Sequence, residues 1–194
     1  MGPDEGEMAI GGRCQSTTVT RNVLLTGRPG AGKSTALAGA IERLRDRGLA
    51  VGGMVAPELR AGGERVGFAL ENVRTGERAT LAHVDRETGP TVGRYRVDVE
   101  AVDAMVETAI VEVLAELDVL VIDEIAPMQA QSERFREAVP SALDAETPVL
   151  ATIKLGYREG MAGSIRDRVD VTVCELEADA RGGMPSRLVD ALAI

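Results

Sequence analysis

Eight consecutive residues carry the chemistry that suits a phosphate group. The stretch reads Gly27, Arg28, Pro29, Gly30, Ala31, Gly32, Lys33 and Ser34, a glycine-rich loop closed by a lysine and a hydroxyl residue. Glycines let the backbone N–H groups approach an anion without a Cβ in the way. Lys33 suits the β- and γ-phosphate oxygens, and the Ser34 hydroxyl suits magnesium. These residues predict a site for a nucleoside triphosphate with Mg²⁺.

The elements around this loop strengthen the prediction. An apolar run, Val23–Leu25, comes directly before it and predicts a buried strand. After it, residues 35–47 have apolar side chains at the spacing of a helix with one buried face. A strand, a loop and a helix in this order direct the positive end of the helix dipole toward the bound anion. A chance match in a chain with 22 glycines is the weaker interpretation.

A pair of acids ninety residues later completes the predicted site. The run Val119–Ile122 is typical of a strand buried on both faces of a parallel sheet, and it ends in Asp123 and Glu124. We expect Asp123 to lie on the magnesium side. Glu124 is the candidate that orients or deprotonates the attacking water. We therefore predict Lys33 and Glu124 as catalytic residues, and Ser34 and Asp123 as metal ligands.

Composition excludes several other classes of protein. A net charge of −9 and only four aromatic residues, two Tyr and two Phe, argue against a nucleic-acid surface. No apolar run approaches the length of a membrane span, and no signal peptide is evident. The two cysteines, Cys14 and Cys174, have no metal-like spacing, and we expect free thiols. We predict a cytoplasmic monomer without nucleic-acid or membrane partners.

The remaining pattern predicts one α/β domain. Residues 1–20 lack periodicity and predict a disordered tail, and residues 21–194 predict a single P-loop NTPase domain. Short alternating pieces over 57–97 predict antiparallel hairpins, and 98–117 predicts one amphipathic helix. The later segments alternate between strand and helix. This order predicts a three-layer fold with a mostly parallel sheet and an antiparallel hairpin extension.

Several short segments in one order resemble a known family. The chain is similar to the small nucleoside-triphosphatases first named from thermophiles, which include the cancer-related nucleoside-triphosphatase of animals. The resemblance covers about residues 22–181 and rests on the phosphate loop together with the segments Val66–Phe68, Val92–Tyr95, Asp123–Ile125, Phe135–Arg136 and Pro148–Ile153. It implies a RecA-like core and slow, unselective, magnesium-dependent hydrolysis of ATP, GTP and other nucleoside triphosphates. Residue by residue, it also adds Thr35 to the phosphate site.

The sequence departs from the family pattern at three places. Ala126–Gln129 stands where the family usually has Gly, then Lys or Pro, Met and Glu. Lys154 replaces a usual His, and Ala180–Gly182 replaces an Asn-Arg-Asp-like triplet. None of these changes touches the phosphate loop or the two acids. They leave nucleotide preference and any sensing role of Lys154 open.

The sequence does not decide which other cation contacts the γ-phosphate, nor does it exclude functions other than hydrolysis. Arg28 inside the loop is one candidate to contact the γ-phosphate. Secondary candidates are Lys154 and three later arginines, Arg158, Arg166 and Arg168, whereas we interpret His83 and Tyr95 as structural. Two alternatives to hydrolysis remain, a nucleotide or small-molecule kinase and a nucleotide-dependent switch or accessory protein.

Overall fold

A computed structural model describes residues 13–14, 20–177 and 182–194. Its strands are β1 Arg13–Cys14, β2 Asn22–Gly27, β3 Val51–Val55, β4 Glu58–Ala61, β5 Glu64–Asn72, β6 Arg78–His83, β7 Thr91–Val92, β8 Tyr95–Val97, β9 Val119–Ile125, β10 Val149–Ile153 and β11 Val171–Leu176. Its α-helices are α1 Lys33–Asp46, α2 Val99–Val106, α3 Glu133–Asp144, α4 Met161–Arg166 and α5 Met184–Ala191. Every helix among these residues is too short or too polar to cross a bilayer.

All of these strands belong to one mixed sheet. Its order is β1-β11-β2-β10-β9-β3-β5-β6-β8-β7, with β4 paired to β5. The five central strands, β11 to β3, are parallel, and antiparallel pairing begins where β5 joins β3. The predicted α/β fold with an antiparallel extension is therefore confirmed. Parallel order brings the carboxyl ends of β2, β9 and β10 to one edge of the sheet.

Helices cover both faces of the sheet and create two apolar cores. On one face, α1 and α5 pack together over a core that includes Leu25, Leu37 and Leu188. On the other face, α2, α3 and α4 cover a larger core that includes Phe135 and Ile122. The three layers follow because β2, β9 and β10 carry buried side chains on both of their faces.

The segment predicted as one helix over 98–117 is broken in the structure. Asp98 caps α2 by accepting a hydrogen bond from the Ala101 N–H, as a good N-cap residue does. The chain then widens into a π-helical turn at Glu107–Val111 and ends in a 3₁₀ turn at Leu114–Glu116. Thr108 donates its hydroxyl to the Ala104 carbonyl, a local bond that competes with the regular helix ladder.

Two predictions concern the amino-terminal residues. Cys174 is disulfide-bonded, and Cys14 is the only other cysteine of the chain, so the prediction of free thiols is wrong. The reason is topological, because β1 pairs antiparallel with β11 and brings Cys14 opposite Cys174. The predicted disordered tail, 1–20, lies largely outside the described residues. Within it, Arg13 and Cys14 form β1, and Thr20 bridges to Leu192.

Candidate functional site

The glycine-rich loop turns from β2 directly into α1. Gly32 is the N-cap of α1 and has φ 98°, a left-handed conformation that a side chain would strain. No side chain among the described residues caps this helix, and its first turn contains no acid. The first N–H groups of a helix have no partner inside the helix, so those at Lys33, Ser34 and Thr35 can bind an anion.

Asp123 and Glu124 lie at the end of β9, joined by a cis peptide bond. Asp123 is buried and accepts hydrogen bonds from the hydroxyls of Thr152 on β10 and Ser34 on α1. Burial raises the pKa of the Asp123 carboxyl, and these two hydrogen bonds oppose that rise. The predicted metal-side acid and the predicted hydroxyl ligand are therefore in direct contact.

The lysine and the second acid face each other. Lys33 Nζ lies 3.4 Å from Glu124 Oε1 and 3.4 Å from the Gly27 carbonyl oxygen. Burial raises the pKa of Glu124, the Asp123 charge adds to the rise, and the Lys33 charge opposes it. A carboxylate with a raised pKa is a better proton acceptor than a fully solvated one. Glu124 thus has the chemistry of a general base.

The oxygen atoms at this point suit a hard divalent cation. Ser34 and Asp123 present a hydroxyl and a carboxylate, and both are ligands that magnesium prefers. The described residues contain no cluster of three or more His, Cys, Asp or Glu that could enclose a metal on its own. Magnesium in nucleotide sites is usually held by one or two protein groups plus phosphates. The two residues fit an ion that a bound nucleotide would share.

One cavity of about 840 Å³ joins the loop to the acid pair. Its lining includes the predicted site residues Gly27, Pro29, Gly30, Gly32, Lys33, Ser34, Thr35, Asp123 and Glu124. Arg28 and Ala31 are not part of this lining, and Arg28 is exposed. The cavity continues past Glu124 to the antiparallel hairpins, where Phe68 contributes to its wall. Its volume is in the usual range for a small-molecule site.

The other predicted cations divide into two groups. Arg158 pairs with Asp167 at 3.1 Å, and Arg168 pairs with Asp144 and Asp170 at 2.8 and 2.7 Å. Both are thus engaged in ion pairs outside the cavity lining.

Arg166 and Lys154 lie at the loop-bearing edge of the sheet. Arg166 donates to the Thr26 hydroxyl at 3.3 Å and to the Lys154 carbonyl at 2.9 Å. The Lys154 side chain lines the cavity, and its charge acts to lower the pKa of Glu124. Arg166 therefore joins the ends of β2 and β10, whereas Lys154 is the second lysine facing the site.

The two residues interpreted as structural lie away from the site. His83 Nδ1 accepts a hydrogen bond from the Asp85 N–H, and the Tyr95 hydroxyl accepts one from Arg65. Neither His83 nor Tyr95 is part of the cavity lining.

Sequence reasoning missed three residues that shape the site. Thr152 bonds to Asp123, and its place at the end of a buried strand beside β9 was a usable signal. Phe68 and Gln129 line the cavity from segments 61 residues apart. Their approach depends on how the hairpins fold beside β9, which no local pattern records.

The fold and the site together define a class of protein. A buried strand passes through a glycine loop into a lysine-bearing helix, and a second parallel strand supplies the acid next to the loop's hydroxyl. This is the arrangement of P-loop proteins that bind nucleoside triphosphates.

Comparison with known proteins identifies the family within that class. Residues 22–189 match the NTPase family. The nucleoside-triphosphatase THEP1 of Thermofilum pendens is 44% identical over 176 residues, covering 89% of this chain and 96% of that protein. THEP1 of Methanothermobacter thermautotrophicus is 37% identical over 170 residues, covering 88% and 95%. The chain belongs to the NTPase family of nucleoside-triphosphatases.

Two solved structures agree with this assignment. The solution structure of a human cancer-related nucleoside triphosphatase is similar with a TM-score of 0.68 and 33% identity, covering 88% of this chain and 94% of that one. The crystal structure of THEP1 from Aquifex aeolicus has a TM-score of 0.78 at 24% identity, covering 89% and 99%, and shows the shared fold. The names of these relatives favour hydrolysis over the kinase and switch alternatives.

Proposed function

We propose that this chain hydrolyses ATP, GTP and other nucleoside triphosphates to the diphosphate and inorganic phosphate, with magnesium. The observation that carries the proposal is the 3.4 Å approach of Lys33 Nζ to Glu124 Oε1 at the open start of α1. A phosphate-binding cation and a half-buried carboxylate with a raised pKa then lie on one cavity. Hydrolysis needs both groups, whereas binding alone needs only the first.

Lys33 and the loop hold the triphosphate. The ammonium group lies beside the start of α1, so a phosphate bound to the helix N–H groups meets its charge as well. Charge-assisted hydrogen bonds of this kind are about twice as strong as neutral ones. Because negative charge spreads over the γ-phosphoryl oxygens in the transition state, the same contacts accelerate the reaction.

Ser34 and Asp123 are the residues that would hold magnesium. Their oxygens are already in contact, and Thr152 fixes the orientation of the carboxylate from β10. When bound, magnesium neutralises charge on the β- and γ-phosphate oxygens. A ligand carboxylate positioned by a neighbouring hydroxyl keeps its geometry at small entropic cost.

Glu124 orients the attacking water. Its Oε1 is buried and lies 3.4 Å from Lys33 Nζ, and a carboxylate oxygen with two lone pairs can accept a further hydrogen bond from water. In-line displacement requires the nucleophile to approach opposite the leaving diphosphate. As the water attacks the γ-phosphorus, Glu124 takes its proton, and the bond to the β-phosphate oxygen breaks.

The broader setting is also a proposal. The sheet is continuous from β11 to β7, which supports residues 21–194 acting as one domain. Nucleoside triphosphates are abundant in the cytoplasm, which supports a cytoplasmic location, and the net charge of −9 supports a protein that needs no nucleic acid. That the protein is a monomer stays a prediction. A sedimentation experiment tests the monomer, since a dimer would double the mass of 20.5 kDa.

Phosphate release tests the function. Purified protein is incubated separately with ATP, GTP, CTP and UTP, with magnesium and without any acceptor. Steady release from several nucleotides supports an unselective triphosphatase. No release, with nucleotide binding intact, would overturn hydrolysis and return the choice to a kinase or a switch.

A further inference from the structure

The cavity extends well beyond the groups that hold the phosphates. Its far part is lined by several strands of the antiparallel extension and by the turn after β9. We call this part the hairpin half, which consists of Ala56, Pro57, Glu58, Arg65, Phe68, Leu81, Val92, Ala126, Pro127, Met128 and Gln129. Most of these side chains are apolar, in contrast to the loop and the acid pair.

The hairpin half lies on the nucleophile's side of the γ-phosphate. In the sheet, the strand order β2-β10-β9-β3-β5-β6 puts the hairpins beyond Glu124 as seen from the phosphate loop. Glu124 marks the side from which water attacks, and the leaving diphosphate lies opposite. This placement of the attacking water and the leaving diphosphate rests on the proposed function. The sugar and base of the same nucleotide therefore point away from the hairpin half.

Apolar side chains remain partly open on this wall. Phe68, Val92 and Met128 pack against the larger core but are only half-buried, and they all face the cavity. Half-buried apolar side chains grouped in a concave surface are typical of ligand sites. Phe68 is an aromatic side chain of the kind that packs against planar ligands.

Arg65 is held at the rim of this wall. Its guanidinium carbon lies 5.0 Å from the centre of the Phe68 ring. Its Nε donates to the Tyr95 hydroxyl at 3.0 Å, and its Nη1 donates to Glu58 at 2.8 Å. Because Arg65 is exposed and Nη2 takes part in neither of these two bonds, one edge of an oriented cation can meet an acceptor on a ligand.

Gln129 supplies a buried side-chain oxygen that has no donor among the described residues. It is only 3% exposed, and its Oε1 has no hydrogen-bond partner within the described part of the chain. The 3₁₀ turn that carries it, Gln129–Gln131, packs against β9 and α2, and α2 in turn packs under β5 and β6. The side chain thus belongs to the hairpin side. An unpaired buried acceptor is costly unless a ligand donates to it.

We propose that the hairpin half binds a second small molecule beside the nucleotide. The molecule has a flat apolar ring that lies on Phe68, an N–H or O–H group that donates to Gln129, and an acidic group that reaches Arg65. Its presence on the nucleophile's side excludes water, so it slows hydrolysis without competing with the nucleotide.

A probe with these three features tests the site directly. The dye 8-anilinonaphthalene-1-sulfonate has a fused ring, one N–H donor and one sulfonate, and its fluorescence rises on binding. We expect saturable binding of one equivalent, both alone and with the β,γ-imido analogue of ATP and magnesium present. Bound dye should lower kcat while leaving KM for ATP unchanged.

Matched variants separate this site from general apolar binding. Gln129→Met keeps the volume of the side chain, and it breaks no bond to Oε1 because that atom has no partner among the described residues. We expect it to weaken dye binding about tenfold. Phe68→Leu should weaken it similarly, whereas Glu112→Met, an exposed change outside the cavity lining, should not. Thermal unfolding confirms that each variant is folded.

The outcomes distinguish the two proposals. Dye affinity that is the same in Gln129→Met and Phe68→Leu as in the unaltered chain would overturn the second site. Displacement of the dye by the nucleotide analogue would also overturn it, since the two sites would then coincide. A third outcome is that the variants weaken dye binding as expected but the protein does not bind the ATP analogue. That outcome would support the second site and contradict the triphosphatase.

Discussion

Lys33 at the start of α1 and Glu124 at the end of β9 face each other across 3.4 Å, although 91 positions separate them in the chain. The contact joins a group that attracts phosphate to one that attracts a proton. In the absence of substrate, each side chain partly neutralises the other, and the Lys33 charge opposes the raised pKa of Glu124. A bound γ-phosphate would compete for the lysine, and this would release the carboxylate to act on water.

Removing the lysine should remove tight nucleotide binding. We expect Lys33→Ala to weaken ATP binding by about 10- to 100-fold, because a hydrogen bond to a charged group contributes roughly 1.5–3 kcal/mol. Isothermal titration calorimetry measures the change. Arg43→Ala removes a cation from the exposed face of the same helix and is the control. Equal affinity in the two variants would contradict the role of Lys33.

Removing the metal should abolish turnover, and removing the charge of its carboxylate should raise the magnesium requirement. We expect a chelator to stop phosphate release and added magnesium to restore it. Asp123→Asn keeps an oxygen toward Ser34 but loses the charge, so half-maximal activity should need about tenfold more magnesium, a cost of ~1.4 kcal/mol in ion binding. A magnesium titration of each protein gives the value. An unchanged requirement would place the metal elsewhere.

A glycine next to the acid strand should resist substitution. A Cβ added to Gly53 on β3 would lie 1.9 Å from the Val121 carbonyl oxygen, and φ there is +122°. We expect Gly53→Ala to destabilise the fold by about 3–5 kcal/mol, at the upper end for single substitutions. Gly62→Ala has a positive φ but an open surrounding, and should cost only about 1–2 kcal/mol. Urea unfolding measures the stability of both variants. Equal losses of stability in the two would contradict the close packing of Gly53 against Val121.

Acid should weaken the contact between Asp170 and Arg168. The Arg168 hydrogen bonds hold the pKa of Asp170 below its usual value of 3.8, despite some desolvation. A lowered folded-state pKa stabilises the fold above about pH 4, and the contribution disappears as pH falls through the folded-state value. Because the carboxylate is partly exposed, the effect is at most about 1 kcal/mol. Asp170→Asn should flatten the stability curve between pH 5 and 3 by about that amount. A curve of unchanged slope would contradict the assignment.

The sequence predicted the parts of the site that are contiguous. The phosphate loop and Asp123 with Glu124 are each formed by neighbouring residues, so their chemistry is visible before any folding is known. The helix over 98–117 was predicted from apolar spacing alone, which does not register the Thr108 hydroxyl bonding to Ala104. The disulfide of Cys174 depended on antiparallel pairing of β1 with β11. Thr152 and Gln129 reach the site through strand order and burial, which are properties of the assembled sheet.

The central claim is that Glu124 orients the attacking water, and a single-turnover experiment on Glu124→Gln tests it most directly. Enzyme in excess is mixed with radiolabelled ATP and magnesium, and both bound ATP and released phosphate are followed. The amide keeps the shape but cannot accept a proton, so we expect ATP binding within about threefold of the unaltered chain and phosphate release slower by about 10²- to 10⁴-fold. Release at the normal rate with normal binding would contradict the account.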